Sequence, residues 1–68
     1  MSDLPQYSQA IKTARKSRGL TQKVLAERIE VSSVSMCNIE KGKRFPSLML
    51  LQRIADTLNY NLIIIFEP

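Results

Sequence analysis

Apolar residues recur along this chain in four blocks, each with helical rather than alternating spacing. In the first, Tyr7, Ala10, Ile11 and Ala14 fall on one face at steps of three and four, which predicts a helix over residues 4–17. Asp3 can cap it, Pro5 sits in its first turn where a missing N–H costs nothing, and Gly19 stops it. Thr21 caps a second helix, 22–29, with Leu25, Ala26 and Ile29 inward. Ser32 offers the next cap, for a helix over 33–41 that turns Met36 and Ile39 inward and ends at Gly42. Residues 43–46 make a basic loop. Ser47 caps a fourth helix, 48–58, with Leu48, Leu51, Ile54, Ala55 and Leu58 on its buried side. Asn59, which tolerates the left-handed conformation, ends it.

Beyond Asn59 the pattern changes. Leu62, Ile63, Ile64, Ile65 and Phe66 form a short β-branched run, so a strand is expected over 60–66. Leu62, Ile64 and Phe66 would face one side, Ile63 and Ile65 the other. Nothing else in the chain reads as a strand, yet a strand needs partners for its amides and carbonyls. A second copy of the same strand, antiparallel across a two-fold axis and resting on both helical heads, is the economical solution. A tail folded over its own core is the alternative. The expected architecture is therefore mainly α: one domain, 1–68, with a head of four to five short helices (4–59) and a dimerising strand and tail (60–68).

Size sharpens the case for a second copy. A chain of 68 residues buries only about 60% of its unfolded surface and wants a staple. The single cysteine, Cys37, allows no internal disulfide, and with no histidine the usual zinc ligand sets are missing. No metal or cofactor is expected, which leaves oligomerisation. One free thiol fits a reducing cytoplasm. No basic-then-apolar leader opens the chain, and the run 62–66 is too short to span a bilayer, so no membrane role is expected. An enzyme is not expected either, for there is no histidine, phosphate loop or pair of carboxylates in a cleft. The net charge is +4, and nine of the ten basic residues lie within 12–44 against three acids there. Such a local basic footprint suits a polyanion, although a solvated surface would carry the same charges.

Two short helices joined by a tight turn, with small and apolar residues at fixed offsets, describe a helix-turn-helix. The segment GLTQKVLAERIEVSSVSMCNIEKG resembles the lambda-repressor-like, or XRE, family across its whole motif. Gln22 opens helix two, Leu25 and Ala26 stand at the helix crossing, and Ile29, Val31, Met36 and Ile39 fill the interior. With Glu40, Gly42 and the flanking helices, the resemblance covers residues 4–58. One departure is plain: the family's turn usually carries glycine where this chain has Glu30. Either Glu30 accepts a left-handed strain of about 1–2 kcal/mol, or the turn is shaped differently.

The resemblance implies that helix three lies in the major groove with its N-terminal half at the base edges. Ser32, Ser33, Val34, Cys37 and Asn38 would then face the bases. The Asn38 carboxamide can pair bidentately with adenine, and Val34 can pack on a thymine methyl. The family often has glutamine at Ser33, so direct readout here is expected to be thinner. Gln22 would hold a backbone phosphate, aided by the free amides of its helix start. Ser35, Lys41, Lys43 and Arg44 would grip the flanking backbone, contacts that give affinity and register. The alternative is an ordinary exposed polar helix face, and for Lys23 and Arg28 a solvated surface is the expected reading. Arg15 and Glu40 are implied as a buried ion pair tying helix one to the end of helix three. Cys37 would be a small groove-facing side chain, with a redox switch as the alternative.

The function implied is sequence-specific repression on double-stranded operator DNA by a cytoplasmic, nucleoid-associated homodimer. By placement and character, the tail resembles the C-terminal strand of HipB-type antitoxins. That resemblance implies an autoregulating antitoxin whose partner is a HipA-type kinase toxin. A stand-alone or phage-type XRE repressor is the alternative within the class. An adaptor using this fold without DNA is the alternative outside it.

Overall fold

A computed structural model of the protein describes residues 6–63. It contains four helices: α1 (Gln6–Ser17), α2 (Gln22–Arg28), α3 (Ser33–Glu40) and α4 (Leu48–Leu58). The mainly helical head is the one the apolar spacing predicts. Two ends are shorter by one residue, because Ile29 and Lys41 serve as C-caps rather than as helical positions. Asp3, Leu4 and Pro5 lie outside the described residues, as do Ile64, Ile65 and Phe66.

The same two devices begin and end the helices. Thr21, Ser32 and Ser47 hold extended backbone, and each hydroxyl accepts from the amide three residues on: Val24 at 3.1 Å, Ser35 at 3.0 Å and Leu50 at 3.1 Å. Each such cap is worth about 1 kcal/mol. All four helices terminate at a residue with positive φ: Gly19 (71°), Glu30 (62°), Gly42 (75°) and Asn59 (59°). The next amide then reaches back to the last full turn, from Leu20 to Arg15 O, Val31 to Ala26 O, Lys43 to Asn38 O and Tyr60 to Ala55 O. These are Schellman closures, which satisfy carbonyls that a helix end otherwise leaves open. Of the two expectations for Glu30, the structure shows the left-handed one: the turn holds a side chain at positive φ and accepts its strain.

The centre of the head belongs to α2 and α3, whose mutual contact is the most extensive between helices. Leu25, Ile29, Met36 and Ile39 are completely buried, joined by Ile11, Ile54 and Leu58. Burying each large aliphatic side chain contributes about 1.5–3 kcal/mol. Ala26, 1% exposed, is the small residue of α2 in this cluster. Leu48 departs from expectation. Its spacing predicts the buried side of α4, but it is 58% exposed. The core contact of α4 begins at Leu50 and Leu51, so the first turn, Leu48 with Met49, stands clear of the cluster.

After α4 the chain is clasped to the end of α1. Arg18 Nε donates to Leu58 O at 2.7 Å and Nη2 to Asn59 O at 3.3 Å. Its guanidinium lies over the Tyr60 ring, 4.6 Å from the centroid, a favourable cation–π placement. The hydroxyls of Ser17 and Tyr60 meet at 2.7 Å. Residues 60–63 form no strand in the single chain, and no strand occurs among the described residues. They instead border an open apolar groove of about 410 Å³, walled by Tyr7, Ala10, Ile11 and Ala14 of α1 and by Leu51, Ala55 and Leu58 of α4. Ala10 is exposed because this groove lies open above it.

Candidate nucleic-acid interface

The first turn of α3 is the exposed part of its outward stripe. Ser32, Ser33 and Val34 are solvent-facing, Val34 at 71%. Ser32 already uses its oxygen as the N-cap acceptor, but a hydroxyl retains a hydrogen to donate. Cys37 and Asn38, one turn on, are half-buried. The chain returns over them after the helix: Asn38 O accepts from the amides of Lys43 at 2.9 Å and Arg44 at 3.3 Å. The Asn38 carboxamide has no hydrogen-bond partner among the described residues. Its donor and acceptor are thus both open to a base edge.

The expected phosphate contacts divide into two groups. Lys41, Lys43 and Arg44 are exposed and, among the described residues, none is paired with an acid. Arg44 does not extend freely: its Nη1 donates to Ser35 Oγ at 2.8 Å, which lays the guanidinium along the first half of α3. Ser35 and Arg44 are therefore brought together rather than standing as separate contacts. Gln22 differs more. It is half-buried, and its Nε2 donates to Glu40 Oε1 at 3.1 Å. One amide hydrogen is committed inside the fold, and the other remains for a phosphate.

Glu40 is where these groups converge. Arg15 Nε and Nη2 lie 2.7 and 2.9 Å from its two carboxylate oxygens, and Arg15 Nη1 donates to Leu20 O at 2.7 Å. The side chains are 9% and 2% exposed. Hydrogen bonding to Glu40 raises the Arg15 pKa above the ordinary arginine value; burial opposes this, and the charge of Glu40 adds to it. Every buried side-chain polar atom among the described residues has a partner, so this buried network satisfies the condition under which buried charge is tolerable.

Three further contacts brace the head, and the apolar spacing predicts none of them. Tyr7 Oη donates to Arg44 O at 2.9 Å, and its ring meets Phe45 edge-on with centroids 4.9 Å apart. Arg53 Nη1 donates to Ile29 O at 3.2 Å, bracing the turn of the motif from α4. Arg18 clasps the start of the tail. Their hydrogen bonds join residues 24 to 41 positions apart, where local spacing carries no signal. Leu62 is half-buried and Ile63 is 73% exposed; the other expected dimer residues lie outside the described part.

Among the described residues no helix is long and apolar enough to cross a membrane. The helix-turn-helix family profile matches residues 11–65. An HTH-type transcriptional regulator of Methanothermobacter thermautotrophicus is 48% identical over 48 residues, 71% of this chain and 70% of that protein. The HTH-type transcriptional regulator YazB of Bacillus subtilis is 36% identical over 53 residues, 78% of this chain and 77% of that one. Among solved structures, the restriction-modification controller protein C.AhdI from Aeromonas hydrophila superposes with a TM-score of 0.80 at 26% identity, covering 90% of this chain and 92% of its own. With α2 and α3 arranged as a helix-turn-helix, the chain belongs to the XRE-type helix-turn-helix family of DNA-binding transcriptional regulators.

Proposed function

We propose that this protein is a stand-alone repressor that acts as a homodimer on a near-palindromic operator. The observation that carries this reading is the exposed first turn of α3 together with three exposed cations at and beyond the helix's far end, Lys41, Lys43 and Arg44, none of them in an ion pair among the described residues. In this reading Ser32, Ser33, Val34, Cys37 and Asn38 face base edges, with Asn38 the bidentate reader. Gln22, Ser35, Lys41, Lys43 and Arg44 hold phosphates, and they fix register rather than sequence. An adaptor without DNA would have no use for unpaired cations at that end of the helix.

The dimer rests on the tail. Leu62 and Ile63 leave the head beside an open apolar groove, and a side chain as exposed as Ile63, at 73%, is stabilised when covered. Pairing of Leu62, Ile63, Ile64, Ile65 and Phe66 with their symmetry mates would cover it. A HipB-type antitoxin with a HipA-type kinase as partner is the second reading. It draws only on that tail, whereas likeness to a restriction-modification controller protein extends over 90% of the chain and favours the stand-alone role.

The test is binding to duplex from upstream of its own gene, against a scrambled duplex, across a salt series. We expect a clear preference for the former, with half-site centres about 34–36 Å apart. Equal affinity for both at every salt concentration overturns the repressor reading. Co-purification with a kinase encoded beside it would restore the antitoxin.

A further inference from the structure

Tyr7 stands on α1, away from the helix-turn-helix, and its ring packs at the margin of the core. A phenylalanine would pack there as well, so the core does not explain the hydroxyl. That hydroxyl donates to Arg44 O at 2.9 Å. Arg44 is consequently held at three points from three directions. Its amide reaches Asn38 O at 3.3 Å, its carbonyl is held by Tyr7, and its guanidinium donates to Ser35 Oγ at 2.8 Å. The neighbouring Phe45 is held too, edge-on against the Tyr7 ring, and Pro46 behind it is buried.

An arginine on a free loop loses much rotamer and backbone freedom when it grips a phosphate. One already ordered along the recognition helix has lost that freedom on folding. We infer that Tyr7 is a positioning residue for DNA binding: through the Arg44 carbonyl it presets the loop after α3, so that the Arg44 guanidinium meets the phosphate backbone already in place. The inference rests on the reading of Arg44 as a phosphate contact, and the experiment separates the two.

The substitution is Tyr7→Phe, which keeps the ring and its contact with Phe45. Because phosphate contacts operate on any sequence, the probe is a short random-sequence duplex, titrated with the full chain well below the melting temperature of each variant. Tyr7→Phe should weaken binding by about fivefold, the weight of one ordinary hydrogen bond. It should also shallow the salt dependence, since part of one phosphate contact is lost. In the Arg44→Ala background, Tyr7→Phe should lose most of that effect. A purely structural role would lower affinity by the same factor in both backgrounds and leave the salt slope unchanged, and that result overturns the inference. So does wild-type binding by Tyr7→Phe. If Arg44→Ala itself binds as the wild type does, the phosphate reading of Arg44 falls first and the role of Tyr7 falls with it.

Discussion

Arg15 and Glu40, 25 residues apart, share a two-point contact in which Nε and Nη2 of the guanidinium each face one carboxylate oxygen, at 2.7 and 2.9 Å. The pair fastens the last residue of α3 to α1, and through Gln22 Nε2 it also fastens the start of α2. The two helices of the motif therefore share one electrostatic anchor.

Removing either partner should strand a charge and cost about 3–5 kcal/mol. That is comparable to the entire stability of so small a domain, about 5 kcal/mol. Arg15→Met with Glu40→Leu should cost much less than the sum of the single changes. Chemical denaturation of the four proteins checks this, and additive losses would contradict it. The pH dependence has a definite sign. A raised arginine pKa in the folded state means the contribution is fully present below the ordinary, unfolded arginine value and is lost only above the raised one. The share of stability due to Arg15 should thus be constant across neutral pH.

Glu30 and Gly19 make opposite versions of one experiment. Both hold positive φ, 62° and 71°. Glu30→Gly should raise stability by about 1 kcal/mol by removing left-handed strain, visible as a melting temperature higher by about 4–8 °C. A Cβ added at Gly19 would meet nothing within 4 Å. Gly19→Ala should therefore lose about the same amount through backbone strain alone. A fall in melting temperature for Glu30→Gly would refute the assignment of strain to the turn.

Asn38 and Lys43 should separate reading from gripping. Asn38→Ala should cost about 1–3 kcal/mol on the preferred sequence and relax discrimination at one base position per half-site. Lys43→Ala should weaken all duplexes alike and shallow the salt dependence. Selection of bound sequences from a random pool distinguishes the two. An unchanged preference in Asn38→Ala would mean that another residue of α3 reads that position.

The caps and stops of the head were legible because they are local. Thr21, Ser32 and Ser47 announce themselves by type and position, as do Gly19, Gly42 and Asn59. Spacing placed Ile11, Leu25, Ile29, Met36, Ile39, Ile54 and Leu58 inward. It also placed Leu48 inward, because periodicity gives the face of a helix and not where along its axis the core begins. The candidate interface was less legible. The outward stripe of α3 follows from Met36 and Ile39, but the union of Ser35 with Arg44, and of Gln22 with Glu40, depends on how the chain returns. The hydrogen bonds of Tyr7 and Arg18 were not legible for the same reason: each acts on a backbone carbonyl, and a carbonyl has no residue type.

The tail can be tested without disturbing the head. Ending the chain after Asn61 keeps Tyr60 under Arg18 and its amide on Ala55 O at 2.8 Å. The shortened protein should fold, sediment as a monomer and lose operator affinity, since one head spans only a half-site. Ile64→Pro in the full chain should weaken the dimer more mildly by deleting one backbone donor. A shortened chain that still sediments as a dimer would move the interface from the tail to the helices.

Among the described residues the ion pair of Arg15 with Glu40 is the one that forms, and it is buried. Among the described residues the exposed cations form no ion pair. Mobile ions screen charges at the surface and scarcely reach a buried pair. Ionic strength should therefore govern how long the protein stays on DNA while leaving its folding untouched. A rise in salt would release an intact head, competent to return as soon as the ions thin out.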